Sequence, residues 1–325
     1  MLHKRIVFAF LSVIGLALTG CNLGQNEGPT SKGGGSKGNS NSQPEEQDFA
    51  TTPQIDLVNN TITYGLYPQT VVRDSDLLSK LEENAQEDPG EDNGFYLYQG
   101  SYYAYNYAIP YSLEYKFTNG QPIEYTELYW FKCEPIVWNI LSTQGHDYYV
   151  LSSKLLDVHK YSTATSTKTV NSKTIYQNNY QYSDINSPWL NIEFYLTAFF
   201  LNNSFVRETR VVNSADTTNS VNTKYACDNF SEEIYLPSYQ EYIDASLGFS
   251  SKESRCCKVS DWALINGARV YSQNGSYANN GYYWTRSPHN AYDDRVWAID
   301  YDGNLYDCQV DDNSVCMRPC LHLYI

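Results

Sequence analysis

Tyrosine, concentrated in short alternating segments, is the feature of this sequence that most restricts its fold. The 325 residues include 31 Tyr against 12 Phe and 6 Trp. Tyrosine favours strands, and several Tyr-rich segments are bounded by turn dipeptides such as Gln99-Gly100 and Asp302-Gly303. Helix signals are fewer. The pattern therefore predicts an α+β fold with an antiparallel or mixed sheet, a few helices and a C-terminal β-meander.

Local signals place some elements. Hairpins are predicted in residues 94–107 and around residues 143–146, each between two alternating segments. Helices are predicted to begin at Ser187-Pro188, Pro237-Ser238 and Ser260-Asp261, where capping residues or a first-turn proline precede aromatic and apolar residues.

The first 20 residues are predicted to be a signal peptide. Lys4 and Arg5 precede an apolar run over residues 6–18, which is too short to span a membrane because about 20 residues are needed. The run ends in Leu18-Thr-Gly-Cys21, which resembles the bacterial lipobox, whose Cys receives a diacylglyceryl group. The resemblance implies a lipoprotein anchored through Cys21 to the extracytoplasmic face of the bacterial cell membrane. The alternative is an ordinary secretory signal that contains a Cys.

Residues 21–56 follow the signal peptide and are rich in Gly, Ser and Asn. Such a composition has no apolar face to bury and predicts a flexible tether with a span of about 33 Å. The sequence contains no second linker of this kind, so residues 57–325 are predicted to form a single globular domain. An acidic loop is predicted at residues 82–93, and further insertions are rich in Tyr.

The acidic composition restricts the partners. The formal net charge is −15, which argues against nucleic acid because phosphate binding requires a basic face. The partners predicted are the membrane, through the lipid on Cys21, and a glycan or protein ligand.

Seven short sequence motifs follow one another along the chain in a characteristic order and spacing. They are Tyr64-Gly-Leu-Tyr-Pro-Gln-Thr70, Tyr129-Trp-Phe-Lys-Cys-Glu-Pro-Ile-Val-Trp-Asn-Ile-Leu141, Ser183-Asp-Ile-Asn-Ser-Pro-Trp-Leu-Asn191, Tyr195-Leu-Thr-Ala-Phe199, Ile234-Tyr-Leu-Pro-Ser-Tyr-Gln-Glu241, Tyr283-Trp-Thr-Arg-Ser-Pro288 and Val315-Cys-Met-Arg-Pro-Cys-Leu-His-Leu323. Their order and spacing resemble the bacterial domain-of-unknown-function 6273 family over residues 62–323. That resemblance implies no settled activity. The last two motifs are also similar to C-type-lectin-like and formylglycine-generating-enzyme-like domains, which concerns the fold alone.

No motif in the sequence establishes a reaction. The histidines form no i, i+4 pair, and the sequence lacks a nucleophile elbow, a phosphate loop and a dinucleotide fingerprint. Cysteine spacing does not match a zinc site, although a hairpin centred on Asp312 is predicted to place Cys308 opposite Cys316. Catalytic residues, metal ligands and cofactors are therefore not predicted. Carboxylate pairs such as Asp293-Asp294 leave a hydrolase open as an alternative.

Aromatic residues near the C-terminus predict an exposed ligand-binding cluster. Tyr282, Tyr283, Tyr292 and Trp297 are assigned to it because they lie in or beside loops, where binding residues concentrate. Alternation along a strand predicts that Trp284 points inward and Tyr283 outward. The alternative is that all of these rings pack in the core.

Four further residues are predicted to be structural. Trp284 is expected to pack in the core, and Arg286 and Arg318 are expected to tie strands together through a carboxylate. Pro319 lies in a terminal strand, 315–323, that is predicted to be central to the sheet, so it must sit where no ladder donor is required.

The predicted function is a non-enzymatic, membrane-anchored surface module that binds glycan or protein through an aromatic face. Two alternatives remain open. One is an envelope enzyme, a hydrolase or modifying enzyme with carboxylate chemistry, and the other is a structural cell-envelope lipoprotein.

Overall fold

A computed structural model of the chain describes residues 52–87, 95–194, 205–213 and 224–325. These residues belong to one compact unit, Gln43–Ile325. The predicted signal peptide, Cys21 and residues 22–51 of the predicted tether lie outside the described residues. Within the described ranges, no helix has both the length and the apolar character needed to cross a membrane.

Strands make up most of the regular structure. They are β1 (Gln54–Asp56), β2 (Thr61–Val71), β3 (Phe95–Tyr98), β4 (Ser101–Tyr107), β5 (Leu128–Gln144), β6 (Asp147–Ser152), β7 (Asp157–Val158), β8 (Lys168–Val170), β9 (Lys173–Ile175), β10 (Val206–Arg207), β11 (Thr209–Val211), β12 (Phe230–Glu232), β13 (Ile234–Tyr235), β14 (Tyr283–Pro288), β15 (Arg295–Ile299), β16 (Leu305–Gln309), β17 (Cys316–Met317) and β18 (Cys320–Tyr324). β1 pairs with β2, so the last three residues of the predicted tether are part of the sheet.

The larger sheet is organised around β5. Its strand order is β1-β2-β5-β6-β18-β10, with β3 and β4 added beside the first part of β5 and β13 added beside β18. All of these pairs are antiparallel. The β3–β4 and β5–β6 hairpins confirm the two predicted from turn residues. At the first turn, Gln99 and Gly100 have φ values of 48° and 80°, and positive φ at both central residues is what a two-residue type I′ turn requires.

The smaller sheet has the order β16-β15-β14-β17-β7. β14, β15 and β16 form the predicted antiparallel meander. β17 then crosses to the far side of β14 and pairs with it in parallel, so Cys316 lies beside Tyr283 and Cys308 lies beside Val296. The predicted opposition of Cys308 and Cys316 is wrong because two strands separate them.

The C-terminal segment joins the two sheets. β17 belongs to the smaller sheet, whereas β18 lies inside the larger one between β6 and the short strands β10 and β13. Pro319 occupies the crossing between β17 and β18, where no ladder donor is needed, and its carbonyl accepts a bond from Ser152 N at 3.0 Å. The predicted single strand over residues 315–323 is therefore two short strands in different sheets, because the chain crosses between the sheets at Arg318-Pro319. Both strands lie inside their sheets, so the segment is central to the fold.

Helices are short except for α1, Ser75–Glu87, which the sequence did not predict. The Asp74 carboxylate caps it by accepting bonds from the backbone N–H groups of Asp76 and Leu77, each at 2.9 Å. The helix includes residues 82–87 of the predicted acidic loop. That prediction is wrong there because Leu77, Leu78 and Leu81 give the segment an apolar side that packs against strands.

The three predicted helices have different outcomes. Ser260 caps α2 (Asp261–Ile265) as expected. The segment around Pro188 is π-helical over Ile185–Phe194, and residues 195–199 lie outside the described ranges. The helix predicted after Ser238 is replaced by single 3₁₀ turns, the first of them Glu241–Ile243. The whole is a predominantly β structure compatible with the α+β class.

Candidate functional site

Aromatic side chains from the C-terminal meander and from the segments that pack against it form two separate groups. The first, here called the tyrosine platform, consists of Tyr271, Tyr277, Tyr282, Tyr301 and Tyr306. The second, here called the Trp297 group, consists of Tyr239, His289, Tyr292 and Trp297.

The two groups lie on opposite faces of the smaller sheet. Trp297 of β15 is in register with Asp307 of β16, and paired residues point to the same face. Tyr306, the neighbour of Asp307 along β16, therefore points to the other face. The predicted single cluster is divided by the sheet, with Tyr282 on one side and Trp297 on the other.

The tyrosine platform is built on one close ring pair. Tyr271 stacks on Tyr301 with centroids 4.1 Å apart and ring planes 11° apart. Tyr277 and Tyr282 contact Tyr301 with centroid distances of 6.0 Å and 5.8 Å, and Tyr306 contacts Tyr282 at 5.9 Å. Tyr271 remains 65% exposed. The stacking therefore fixes the orientation of a large aromatic ring that faces solvent.

Arg269 contacts two rings of the tyrosine platform through cation–π interactions. Its guanidinium lies 4.1 Å from the ring centroid of Tyr282 and 5.9 Å from that of Tyr306. Nη1 is 3.9 Å from the Asp312 carboxylate, while Nε and Nη2 are buried without a hydrogen-bond acceptor among the described residues. The electron-rich faces of the two rings take the place of those acceptors. Burial raises the pKa of Tyr282 to about 12, so its phenol is neutral at physiological pH.

A groove of about 630 Å³ adjoins the platform at Tyr271. Residues 112–120 supply one wall and residues 271–279 supply the other. The Gln273 side chain ties the walls together because its Oε1 accepts from Lys116 N at 2.6 Å and its Nε2 donates to Lys116 O at 2.5 Å. Tyr115 adds a second tie, since its hydroxyl donates to Val270 O at 2.8 Å. The groove is therefore preformed, as binding sites usually are.

An acidic turn leads to β16. Asp300 Oδ1 accepts from Asn304 N at 2.8 Å and from Asp302 N at 3.2 Å, and Asp302 pairs with Lys252 at 3.2 Å. Burial raises the pKa of the Asp300 carboxyl group. The hydrogen bond between the two side chains lowers the pKa of Asp302. The carboxylates thus shape a hairpin turn. No group of three or more metal-binding side chains occurs in the described part of the chain.

His289 is the centre of the Trp297 group. Its ring centroid lies 4.9 Å from that of Trp297 and 5.1 Å from that of Tyr292, and the Tyr239 ring also contacts Trp297, with centroids 5.3 Å apart. Burial lowers the pKa of His289, so the ring is neutral at pH 7. Tyr292 is 53% exposed. The structure thus brings the predicted residues Tyr292 and Trp297 together through a histidine that the sequence had not identified.

Tyr283 is buried, and its predicted outward orientation is wrong. It packs against Tyr242 with centroids 5.5 Å apart, and its hydroxyl donates to Arg255 O at 2.5 Å. Trp284 is also buried and donates from Nε1 to His159 O at 2.9 Å. The alternation argument fails because β14 is an interior strand with both faces covered, so each of its residues is buried.

Buried Arg286 is held by a partly buried carboxylate. It forms an ion pair with Glu241 and donates to Leu236 O and Asn213 Oδ1, each at 3.0 Å. Glu241 also accepts a bond from the Tyr149 hydroxyl at 2.9 Å. This network connects β14 to the larger sheet through β6.

Arg318 is held differently. It donates from Nε to Ser152 O at 3.1 Å and from Nη1 to the Tyr283 hydroxyl at 3.3 Å, and it has no ion pair with any described residue. The expectation of a carboxylate partner is therefore wrong for Arg318. A carbonyl and a phenol replace it at the crossing between the sheets.

Sequence reasoning missed most of the site. Tyr271, Tyr277 and Tyr301 were not assigned to it, and neither was the groove. Tyr271 and Tyr277 bound a polar segment, Ser-Gln-Asn-Gly-Ser, and Tyr301 directly precedes the Asp302-Gly303 turn. Tyrosines that flank such loops are a usable signal, but it does not reveal that the loops converge.

Comparison with known proteins gives one family. The family described as a domain of unknown function, DUF6273, matches residues 147–325, which is more than half of the chain. This match begins after β5, so the resemblance seen in residues 62–146 lies outside it. Neither the curated proteins nor the solved structures contain a match to the chain. The matched region contains the complete smaller sheet, the platform and one wall of the groove, and the chain accordingly belongs to the DUF6273 family.

Proposed function

We propose that this chain is a lipid-anchored surface protein that binds a neutral glycan at the tyrosine platform and the groove, without catalysing a reaction. The observation that carries the proposal is the Tyr271–Tyr301 stack. It keeps a 65% exposed ring in a fixed orientation at the edge of a preformed groove. Flat aromatic faces of this kind pack against the apolar faces of sugar rings.

The groove supplies the polar half of such a site. Its walls carry hydroxyl and amide side chains, including Thr118, Ser272, Asn274 and Asn279. These groups can donate and accept hydrogen bonds with sugar hydroxyls. The net charge of −15 and the nearby Asp300 and Asp302 oppose an acidic ligand, which favours a neutral glycan.

The test is binding of the full-length chain, in detergent micelles, to an array of neutral glycans. Tyr271→Ala removes the exposed ring and is expected to weaken binding about tenfold or more, a loss of ~1.4 kcal/mol or more. The matched control is Tyr292→Ala, which removes an exposed ring from the opposite face. It is expected to leave binding unchanged.

Thermal melts separate binding from folding. Both variants are expected to melt like the wild type because both rings are largely exposed. If Tyr292→Ala loses binding and Tyr271→Ala does not, the Trp297 group is the site. Absence of binding to every neutral glycan would refute the proposal.

The lipid anchor has its own experiment. The Leu18-Thr-Gly-Cys21 phrase supports lipidation of Cys21 on the outer face of the membrane. Metabolic labelling with an alkyne fatty acid is expected to mark the wild type but not Cys21→Ala. Equal labelling of both chains would disprove the anchor while leaving glycan binding untouched.

A further inference from the structure

A row of outward-facing apolar side chains leads to the groove. The row, here called the apolar row, consists of Tyr105, Tyr107, Ile109, Tyr111 and Leu113, each between 38% and 73% exposed. The residues between them are turned inward or partly covered, and Ala108 is completely buried. Five exposed apolar residues within nine positions are a local concentration of the kind that marks a binding surface.

The backbone beneath the apolar row is anchored. Tyr107 is paired with Leu128 at the end of the β4–β5 ladder. Beyond the ladder, Ala108 N donates to Glu127 O at 2.9 Å and Ile109 N donates to Ile265 O at 2.7 Å. The outward side chains of this part of the row therefore project from a fixed support, which lowers the entropic cost of binding.

The apolar row is continuous with the groove. Tyr111 stacks on Tyr115 with centroids 6.4 Å apart and ring planes 29° apart, and Tyr115 lines the groove. Ser112 and Glu114, which flank Leu113, line the same wall. The eight residue steps from Tyr105 to Leu113 span at most about 26 Å. The row therefore extends the candidate binding surface beyond the groove.

We propose that the row and the groove together bind one extended chain of a neutral polysaccharide. This inference rests on the proposed function and adds the class of ligand: a polymer rather than a terminal sugar. Tyr107 and Tyr111 offer exposed rings for successive sugar units, whereas the ring of Tyr105 packs against Tyr96 and Trp130 and adds only its exposed edge. The five residues of the row carry no charge. An uncharged, repeating ligand with apolar faces matches that surface.

The experiment is a chain-length series. An array carries neutral gluco-, manno-, galacto- and N-acetylglucosamine oligomers of graded length from two to eight units, and the full-length chain is applied in detergent micelles. The wild type is expected to bind the longest chains at least about tenfold more tightly than the shortest, because only long chains reach the row. The double variant Tyr107→Ala with Tyr111→Ala is expected to lose this gain and to retain wild-type affinity for the shortest chains.

The variants distinguish the two proposals. Tyr271→Ala is expected to weaken binding to short and long chains alike, and Tyr292→Ala serves as the unaffected control. Equal affinity of the wild type for all lengths overturns the polymer inference but leaves the groove site standing. Loss of short- and long-chain binding together in the double variant also overturns it.

Two further results count against the polymer inference. Binding to none of the oligomers refutes the proposed function and this inference with it. If sedimentation detects a dimer of the wild type that the double variant cannot form, the apolar row is an interface between copies of the chain and the inference is wrong.

Discussion

Glu241→Gln tests whether the buried ion pair with Arg286 stabilises the packing of the two sheets. Both side chains are largely buried, with 24% and 6% of their surfaces exposed. Removing one charge from a buried pair leaves the other uncompensated, which typically costs about 3–5 kcal/mol. Glutamine keeps the volume and one acceptor oxygen, which can serve either Tyr149 or the Arg286 and Ser238 donors but not both. Arg286 keeps its bonds to Leu236 O and Asn213. A loss near the lower limit, about 3 kcal/mol, is therefore expected.

The effect depends on pH in a defined direction. Although burial raises the pKa of Glu241, the charge of Arg286 and hydrogen bonds from Ser238, Arg286 and Tyr149 lower it below the ordinary value. The folded chain therefore binds this proton less readily than the unfolded chain. The carboxylate stabilises the fold above the ordinary pKa of about 4.3, and the contribution is lost as the pH falls through the folded value.

Thermal and urea melts of the full-length chain provide the assay. At pH 7, a loss of about 3 kcal/mol corresponds to a Tm lower by about 6–12 °C for a domain of this size. The gap between wild type and Glu241→Gln is expected to narrow below about pH 4.3. Glu127→Gln, at an exposed glutamate, is the control and is expected to change stability by less than about 0.5 kcal/mol. A Tm equal to that of the control, or a gap that stays constant on acidification, would refute the reasoning.

Three other substitutions test the packing, each measured by denaturant unfolding. Trp284→Ala is expected to cost about 3–5 kcal/mol because it empties a fully buried site, and a loss below 1 kcal/mol would contradict that packing. Gly303→Ala is expected to cost more than Gly275→Ala: both glycines have positive φ, but only at Gly303 does a Cβ meet a backbone oxygen, that of Lys252, at 1.8 Å. Equal losses at the two glycines would exclude this contact. Asp157→Asn is expected to cost about 1–3 kcal/mol because one amide oxygen cannot serve all three side-chain donors that bond its carboxylate, and an unchanged melt would disprove the need for both oxygens.

Local patterns predicted those elements whose causes are local. The Gln99-Gly100 hairpin follows from a turn whose two central residues adopt positive φ, and α2 follows from its Ser260 cap. The β14–β16 meander follows from alternating segments separated by turn residues. Spaced motifs predicted the family, which the match over residues 147–325 confirms. For the hairpin, α2 and the meander, the sequence signal lies within a few residues of the element that it predicts.

The candidate site depends on contacts that no local pattern encodes. Tyr283 is buried because Tyr242, Arg255 and Arg318, from other parts of the chain, cover the face of β14 to which it points. The groove exists because Gln273 bonds Lys116, 157 positions away. Alternation determines that neighbouring side chains point to opposite faces, but only the packing of the sheets decides which faces meet solvent. The sequence by itself therefore determined a strand-rich fold and an excess of aromatic rings, and the tertiary structure alone decided which rings remain exposed together.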